Sequence, residues 1–430
     1  MYMSKKRALV LSGGGSRGAY QAGVWKALRK LRIRYDIVTG TSVGALNGVL
    51  FVQNDYYKCM RLWRNMHFDK IYDESFPDKV DSLGDMAEVY KKYAIRFFQA
   101  GGMKTDKLSD IIDNLYNARK FRRSFVDYGL VTYNVTANQP MEILKKDMTD
   151  QMLCDFLVAS ASCYPAFQKK KIGDEEYVDG GYYDVLPINM AIDMGATEVI
   201  AVDLKAVGRH QKVKNSKIPI HYIYPKNKIV SFLVFDEELS RKTIDFGYND
   251  TMKSYGKLDG DVFTFKKNHL RRNFHNNGDE FYHFVKDFFD VNQKDKTIFD
   301  QILKISVFHK IIDSKNAHDI KVIMDQTLER LGKAFHLEES EIYDIEHYHG
   351  LLIYHFMHLE PVNIDLIEQK IKDKKIKQLI NSKYVVKYIY DKLIVRPYKP
   401  KVRKDLCGIA CLFPKEFLMA IYMVVINQDI

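Results

Sequence analysis

Five residues, Gly40-Thr41-Ser42-Val43-Gly44, follow the apolar run from Tyr35 to Thr39 and lead directly into Ala45-Leu46-Asn47-Gly48-Val49-Leu50. The pattern predicts a short buried strand, a tight turn and a helix in immediate succession. Flanking glycines let the backbone adopt a strained turn, and the serine at its tip is presented at the helix N-terminus. A serine that acts as a nucleophile needs this placement at the tip of the turn. Short Gly/Ser patterns also mark ordinary turns, however, so the rest of the chain has to supply the partners of the serine.

A glycine-rich loop precedes this turn by one strand and one helix. The apolar run Arg7 to Leu11 predicts the first strand, and helical spacing from Ala19 to Leu28 follows the loop. Strand, loop, helix and strand make a βαβ opening, which predicts a parallel sheet and an α/β fold. The loop between them has the sequence Gly13-Gly14-Gly15-Ser16-Arg17-Gly18.

Two interpretations of the loop compete. Its Gly-x-Gly-x-x-Gly spacing matches a dinucleotide-binding fingerprint, which needs an acidic residue at the carboxyl end of the second strand. Asp36 lies at the start of that strand instead, so the fingerprint is incomplete. Alternatively, successive glycine N–H groups at a helix N-terminus stabilise a developing oxyanion beside Ser42.

A serine nucleophile needs a base, and two arrangements are open. One is a triad of Ser42 with Asp179 or Asp203 and with His210 or His221. Only one βα unit precedes the serine, whereas an α/β-hydrolase builds several strands before its elbow. In the other arrangement Asp179 takes the proton directly, and partial burial would raise its pKa and make it a stronger base.

The position of Asp179 is compatible with the direct arrangement, although an ordinary Asp-Gly turn would have the same pattern. A predicted hairpin over Lys170 to Val178 delivers this aspartate at a strand end, and Gly180-Gly181 follow it. These glycines would leave the carboxylate accessible and the backbone free to turn.

Taken together, the motifs resemble those of the patatin-like phospholipases, of the bacterial type. That family has a glycine-rich loop ending in Arg-Gly, a Gly-x-Ser-x-Gly elbow and a distal Asp-Gly-Gly, and here the order matches from about Lys6 to Gly256. Ser12 stands where the plant form often has an aspartate. The resemblance implies a three-layer α/β/α fold with a mainly parallel central sheet. It also implies a dyad of Ser42 and Asp179, a backbone oxyanion hole in the Gly13–Gly18 loop, an acyl-enzyme, and neither metal nor cofactor.

Arg17 would orient the loop or contact a lipid phosphate. The implied activity is lipid acyl hydrolysis of the phospholipase A kind. A soluble carboxylesterase or thioesterase on the same dyad, and a lipid-binding scaffold without turnover, remain alternatives.

The remainder of the chain predicts two further regions. Residues 60–128 are charged, aromatic and helical in pattern, which indicates an inserted cap or side wall within a catalytic domain of residues 1–256. Residues 257–430 are lysine-rich and helical in pattern, and we interpret them as a separate, mainly helical C-terminal domain of unknown role.

The net charge limits the classes of partner, and the cysteine content indicates the compartment. A net charge of +11 favours anionic partners such as a lipid surface, but no basic helix with stacking aromatics indicates nucleic acid binding. Five scattered cysteines without a Cys-x-x-Cys pair, and no secretory leader, predict free thiols in the cytoplasm. The apolar stretch Leu406 to Asn427 is interrupted at Pro414-Lys415-Glu416, so we expect a core helix or one on a membrane surface, with peripheral association.

Overall fold

An eight-stranded sheet organises the first part of the chain. Its strand order is β5-β6-β3-β2-β1-β7-β8, and β4 pairs with β3. Strands β3, β2, β1, β7 and β8 are parallel neighbours, whereas β4, β5 and β6 join the sheet through antiparallel pairs. The strands are β1 (Arg7–Leu11), β2 (Ile37–Thr41), β3 (Asp127–Asn134), β4 (Gln139–Leu144), β5 (Lys170–Ile172), β6 (Glu175–Asp179), β7 (Glu198–Val202) and β8 (Ile220–Ile223).

Both faces of the sheet are buried, as the alternation along β1 shows. Leu9 and Leu11 belong to a core shared with the helices that carry Trp25 and Phe51. Ala8 and Val10 point the other way, into a second apolar cluster. Side chains alternate between the faces of a strand, so helices cover the sheet on both sides and the predicted three-layer α/β/α fold is confirmed.

The helices of this unit are α1 (Gly18–Lys30), α2 (Val43–Val52), α3 (Tyr56–Arg64), α4 (Asp106–Leu115), α5 (Ala118–Arg123), α6 (Asp150–Ala161), α7 (Ile188–Asp193) and α8 (Glu237–Ser254). Helices α1, α2 and α8 contribute to the first core, and α7 contributes to the second. Strand β2 ends at Thr41, two residues beyond the predicted end, because its pairing with β3 continues to Thr41 opposite Val131.

These elements come from a computed structural model that describes residues 5–67, 70, 102–229, 233–290, 306–312, 316–359, 382–395 and 400–427. By contacts the chain divides into Met1–Tyr255 and Gly256–Ile430. The central part of the predicted cap, 71–101, lies outside the described residues, and the described parts on either side of it include helices α3, α4 and α5.

The second unit is mainly helical and also contains a small sheet, which the sequence pattern did not predict. Its strands are β9 (Leu258–Asp259), β10 (Thr264–Lys266) and β11 (Ile342–Tyr343). Its described helices are α9 (His269–Asp290), α10 (Ser306–Ile312), α11 (Ala317–Ala334), α12 (Ile345–Met357), α13 (Ser382–Val395), α14 (Pro400–Leu412) and α15 (Pro414–Ile426).

Helix α15 starts at Pro414, and its environment decides between the two expected placements. All residues from Phe417 to Ile426 are buried and belong to the core of this unit. The helix is therefore a core helix, and its apolar side chains are not exposed for docking on a membrane. Across the described residues, no one helix has both the length and the apolar composition to cross a bilayer; Asp405–Leu412 and Pro414–Ile426 meet that test only as a pair bent by 119°.

Candidate active site

Ser42 occupies a strained turn between β2 and α2. Its φ is 56° and its ψ is −128°, and it is 8% exposed. The strain therefore falls on the serine itself rather than on the flanking glycines. Gly40 and Gly44 are needed for close approach instead, because a Cβ on Gly44 would lie 2.2 Å from the carbonyl oxygen of Leu11. The geometry is that of a nucleophile elbow.

A hydroxyl from α6 fixes the elbow. The backbone N–H of Ser42 donates to Oγ of Ser160 at 2.9 Å, and that hydroxyl donates in turn to the carbonyl of Val131 at 2.7 Å. The sequence pattern did not predict a role for Ser160. The bond fixes the main chain at the serine and occupies the N–H of Ser42.

Strand register brings Asp179 to the level of Ser42. Thr41 pairs with Val131 on β3, and the next residue of β3, Thr132, pairs with Asp179 on β6. The carboxylate of Asp179 accepts the N–H of Gly181 at 2.7 Å, and it lies close enough to the Ser42 side chain for that hydroxyl to lower the pKa of the acid. Strand β2 thus places the serine, and the antiparallel strand β6 places the acid near it, with β3 between the two strands.

Burial sets the acidity of Asp179. The residue is 7% exposed, and loss of hydration raises the pKa of its carboxyl from 3.8 to about 6, against the lowering effects of the Ser42 side chain and of the hydrogen bond from Gly181. Burial, reinforced by Asp179, raises the pKa of the Cys163 thiol to about 12, so this thiol is neutral near pH 7.

Gly180 packs tightly against the sheet, because a Cβ there would lie 2.2 Å from the carbonyl oxygen of Val131. It is therefore required for close packing beside the aspartate. Gly181 has a different role, since it contributes the N–H that Asp179 accepts.

The glycine loop lies directly beside the serine. A Cβ built on Gly13 would be 3.3 Å from Cβ of Ser42. The N–H of Gly13 donates to the carbonyl of Val185 at 3.0 Å, and the N–H of Arg17 donates to the carbonyl of Gly14 at 3.2 Å.

These bonds narrow the predicted set of oxyanion donors. The N–H of Gly18 is also occupied, by the carbonyls of Gly15 and Ser16. Within the described part of the chain, the N–H groups of Gly14 and Gly15 have no such acceptor. Gly15 has a φ of 55°, a conformation that a glycine adopts without strain.

Arg17 holds the loop in place. Its Nη1 donates to the carbonyls of Leu204 at 3.3 Å and Lys205 at 3.1 Å, just beyond β7, and partial burial lowers the pKa of its guanidinium. Of the two roles expected for this residue, these bonds support the one of orienting the loop.

A buried polar network beneath the loop was not predicted. Asn47 donates to the carbonyl of Gly18 at 3.0 Å and to Gln21 at 2.9 Å, and it accepts from the indole of Trp63 at 2.9 Å. Gln21 donates to the carbonyl of Ser12 at 2.8 Å. The network joins the helices that follow the glycine loop and the Ser42 turn, and no local pattern in the sequence indicates it.

The segment after Asp179 connects to both loops. The hydroxyl of Thr41 donates to the carbonyl of Asp184 at 2.7 Å. Val185 accepts from Gly13, as described above, and donates its own N–H to the carbonyl of Arg209 at 2.7 Å. Burial raises the pKa of the Asp184 carboxyl to about 7.

The residues of the alternative triad have other partners. Asp203 accepts from the backbone and side chain of Lys205, both at 2.8 Å. His221 lies 3.0 Å from the hydroxyl of Ser254 and stacks on Tyr255, and His210 is exposed. The geometry therefore gives the histidine triad no support.

Asp36 of the cofactor interpretation accepts the backbone N–H of Arg7 at 2.9 Å, which is a structural role. Among the described residues, no group of three or more His, Cys, Asp or Glu side chains is arranged to hold a metal ion.

Comparison with known proteins agrees with this geometry. The family model described as Patatin-like phospholipase matches residues 9–192, a range that contains Ser42 and Asp179. Patatin-like phospholipase domain-containing protein 7 of Rattus norvegicus is 32% identical over 201 residues, which are 46% of this chain and 13% of that protein. Lysophospholipase NTE1 of Debaryomyces hansenii is 30% identical over 199 residues, 46% of this chain and 12% of that protein.

The human patatin-like phospholipase domain-containing protein 6 is 28% identical over 200 residues, again 46% of this chain and 13% of the relative. The similarity therefore spans only a small part of each relative. Among solved structures, VipD from Legionella pneumophila has a TM-score of 0.38 at 13% identity, covering 98% of this chain and 86% of that one, a likeness too weak to bear on fold or function.

Proposed function

Since residues 9–192 are a patatin-like phospholipase domain, we propose that the chain is a serine acyl hydrolase that cleaves fatty-acyl esters of phospholipids or other lipids. The observation that carries the proposal is that the Ser42 side chain lies beside the buried Asp179 carboxylate, close enough to lower the pKa of that carboxyl. Every residue invoked below lies in Met1–Tyr255, which we propose as the catalytic unit.

In the first half of the reaction, Asp179 accepts the proton of the Ser42 hydroxyl while Oγ attacks the ester carbonyl. The carbonyl oxygen becomes an oxyanion, which accepts hydrogen bonds from the N–H groups of Gly14 and Gly15. The intermediate collapses, the bond to the alcohol breaks, and the leaving oxygen takes the proton from Asp179. An acyl ester on Ser42 remains.

In the second half, a water molecule gives its proton to Asp179 and attacks the acyl carbonyl. The same N–H groups stabilise the second oxyanion. When the bond to Ser42 breaks, Oγ recovers the proton from Asp179 and the fatty acid leaves.

The raised pKa of Asp179 suits this cycle. A carboxyl with a pKa of about 6 is mostly ionised near pH 7 and is a stronger base than an ordinary aspartate. The names of the relatives support an acyl lipid as the substrate class, since they include patatin-like phospholipases and a lysophospholipase.

Covalent labelling tests the proposal. A fluorophosphonate probe should label the wild-type chain, the Ser42→Ala variant should not be labelled, and Asp179→Asn should be labelled far more slowly. Fatty acid release from lysophosphatidylcholine should follow the same order. Labelling that persists in Ser42→Ala would place the nucleophile elsewhere and reject the assignment.

A further inference from the structure

The connection between β7 and β8 borders the candidate site. A Cβ built on Gly14 would lie 3.6 Å from Cβ of Ala206, and one built on Gly208 would lie 3.2 Å from the carbonyl oxygen of Gly181. Ala206 therefore lies next to the glycine loop, and Gly208 lies next to the turn after Asp179. Val207, between them, is 98% exposed.

The same connection is strongly basic. From Leu204 to Lys217 it contains five lysine or arginine residues and no aspartate or glutamate. Lys205 and Lys214 form ion pairs with Asp203 and Asp193.

Three exposed cations of this connection, Arg209, Lys212 and Lys217, form no ion pair within the described part of the chain. Arg209 and Lys212 follow the exposed Val207, and their charges are available to an anion from outside.

Two tyrosines extend this surface. Tyr182 follows Gly181, whose carbonyl accepts the N–H of Arg209 at 2.9 Å. The Tyr182 hydroxyl donates to the carbonyl of Tyr164 at 2.8 Å, and the two side chains are 43% and 41% exposed. Tyrosines are well suited to the lipid–water interface, since the ring is apolar and the hydroxyl remains hydrated.

We propose that one surface beside the candidate site docks against an anionic phospholipid surface. We call it the mouth surface, and it consists of Tyr164, Tyr182, Val207, Arg209 and Lys212. The inference rests on the proposed function in that the docked lipid would be the substrate source. Val207 and the tyrosine rings would enter the headgroup region, while Arg209 and Lys212 bind lipid phosphates. Charge complementarity selects this partner, because an exposed apolar tip followed by the unpaired cations Arg209 and Lys212 suits a layer that is anionic outside and apolar beneath.

Vesicle flotation of the inactive Ser42→Ala chain tests the docking without lipid hydrolysis. We expect binding to vesicles of phosphatidylcholine with phosphatidylglycerol and much weaker binding to phosphatidylcholine alone. Arg209→Gln with Lys212→Gln should weaken binding to the anionic vesicles about 25-fold, about five-fold for each cation. Val207→Ser should weaken it further, and added salt should reduce the effect of the two cations.

The chain offers matched controls at the opposite end of α2. Arg119 and Arg123 are exposed residues of α5, and the neighbouring Asn117 donates its N–H to Gln53 at 2.6 Å. Gln53 follows the last residue of α2, about 15 Å along the helix axis from Ser42. Arg119→Gln with Arg123→Gln removes the same charge there, and neither it nor Phe125→Ser, at a fully exposed residue before β3, should change vesicle binding.

Each outcome decides the docking proposal. It stands if the mouth-surface variants lose binding and the controls keep it. Equal loss in both sets would show a general charge effect and overturn it, and so would unchanged binding in the mouth-surface variants.

Hydrolysis of p-nitrophenyl butyrate by the otherwise wild-type chain separates the two proposals. A chain that binds vesicles through the mouth surface but neither cleaves this ester nor takes the fluorophosphonate would refute the hydrolase and retain the docking. If the mouth-surface changes alter neither ester cleavage nor vesicle binding, the docking is refuted and the hydrolase is retained.

Discussion

Oγ of Ser160 accepts the backbone N–H of Ser42 at 2.9 Å and so joins α6 to the elbow 118 residues earlier in the chain. Ser160→Ala would leave a buried N–H without an acceptor, which costs about 1–3 kcal/mol. We expect lower stability and roughly ten-fold slower fluorophosphonate labelling of Ser42, since the elbow would lose its support. The measurement is the labelling rate, together with the midpoint of urea unfolding.

Ser162→Ala is the matched control for that change. The hydroxyl of Ser162 is also buried at the end of α6, but it donates to the carbonyl of Val158 at 2.7 Å rather than to the elbow. Labelling should stay near the wild-type rate. Equal slowing in the two variants would show a general effect of destabilising α6.

The pH dependence of ester cleavage should follow Asp179. Its carboxyl must be ionised to accept the serine proton, and burial raises its pKa to about 6. With a soluble ester, kcat/KM should rise about ten-fold per pH unit below this value and level off above about pH 7. A profile that is already flat at pH 5 would contradict the assigned environment of Asp179.

The same burial makes Asp179 a source of instability near neutral pH. A carboxyl whose pKa is raised on folding stabilises the fold while it is protonated, and this contribution is lost as the pH rises through about 6. Asp179→Asn should therefore be more stable than wild type at pH 8, by at most about 3 kcal/mol, and little different near pH 4. Thermal unfolding at the two pH values measures the difference.

Asp184→Asn separates stability from activity in that experiment. Asp184 is a buried acid whose pKa is raised to about 7, but its carboxylate accepts the N–H of Leu186 and does not bond to Ser42. We expect a gain in stability at pH 8 while most ester cleavage is retained. If Asp184→Asn were as inactive as Asp179→Asn, the assignment of the base would have to be reconsidered.

Gly44→Ala should disrupt the elbow. The added Cβ would lie 2.2 Å from the carbonyl oxygen of Leu11, so either β1 or the start of α2 must move. We expect loss of labelling and a clear drop in the unfolding midpoint. Gly350→Ala, in α12, meets no atom within 4 Å and should instead stabilise its helix by roughly 1 kcal/mol.

His221→Ala tests the alternative triad. The ring lies 3.0 Å from the hydroxyl of Ser254 and stacks on Tyr255, so its loss should lower stability slightly and leave ester cleavage largely intact. His210→Ala, at an exposed position, should change neither. Loss of cleavage in a folded variant of either kind would restore the histidine mechanism.

Much of the site could be predicted because each of its parts is local in sequence. The glycine loop, the Ser42 turn and the Asp179 turn are each set by neighbouring glycines and a preceding strand. The bonds from Ser42 to Ser160 and from Gly13 to Val185 could not be predicted, since they join residues far apart in the chain and follow no period.

The same distant bonds determine which glycine N–H groups of the loop are available to an oxyanion.

The placement of α15 could not be predicted either. Its apolar pattern does not distinguish a core helix from a surface helix, because both place apolar residues at the same spacing.

Val185 links the lipid-facing connection to the glycine loop through main-chain atoms alone. Its carbonyl holds the N–H of Gly13 and its N–H is held by the carbonyl of Arg209. A substitution at Val185 or Arg209 therefore changes a side chain without removing either bond. The connection that we propose meets the lipid can thus vary in its side chains while its main-chain link to the glycine loop is kept.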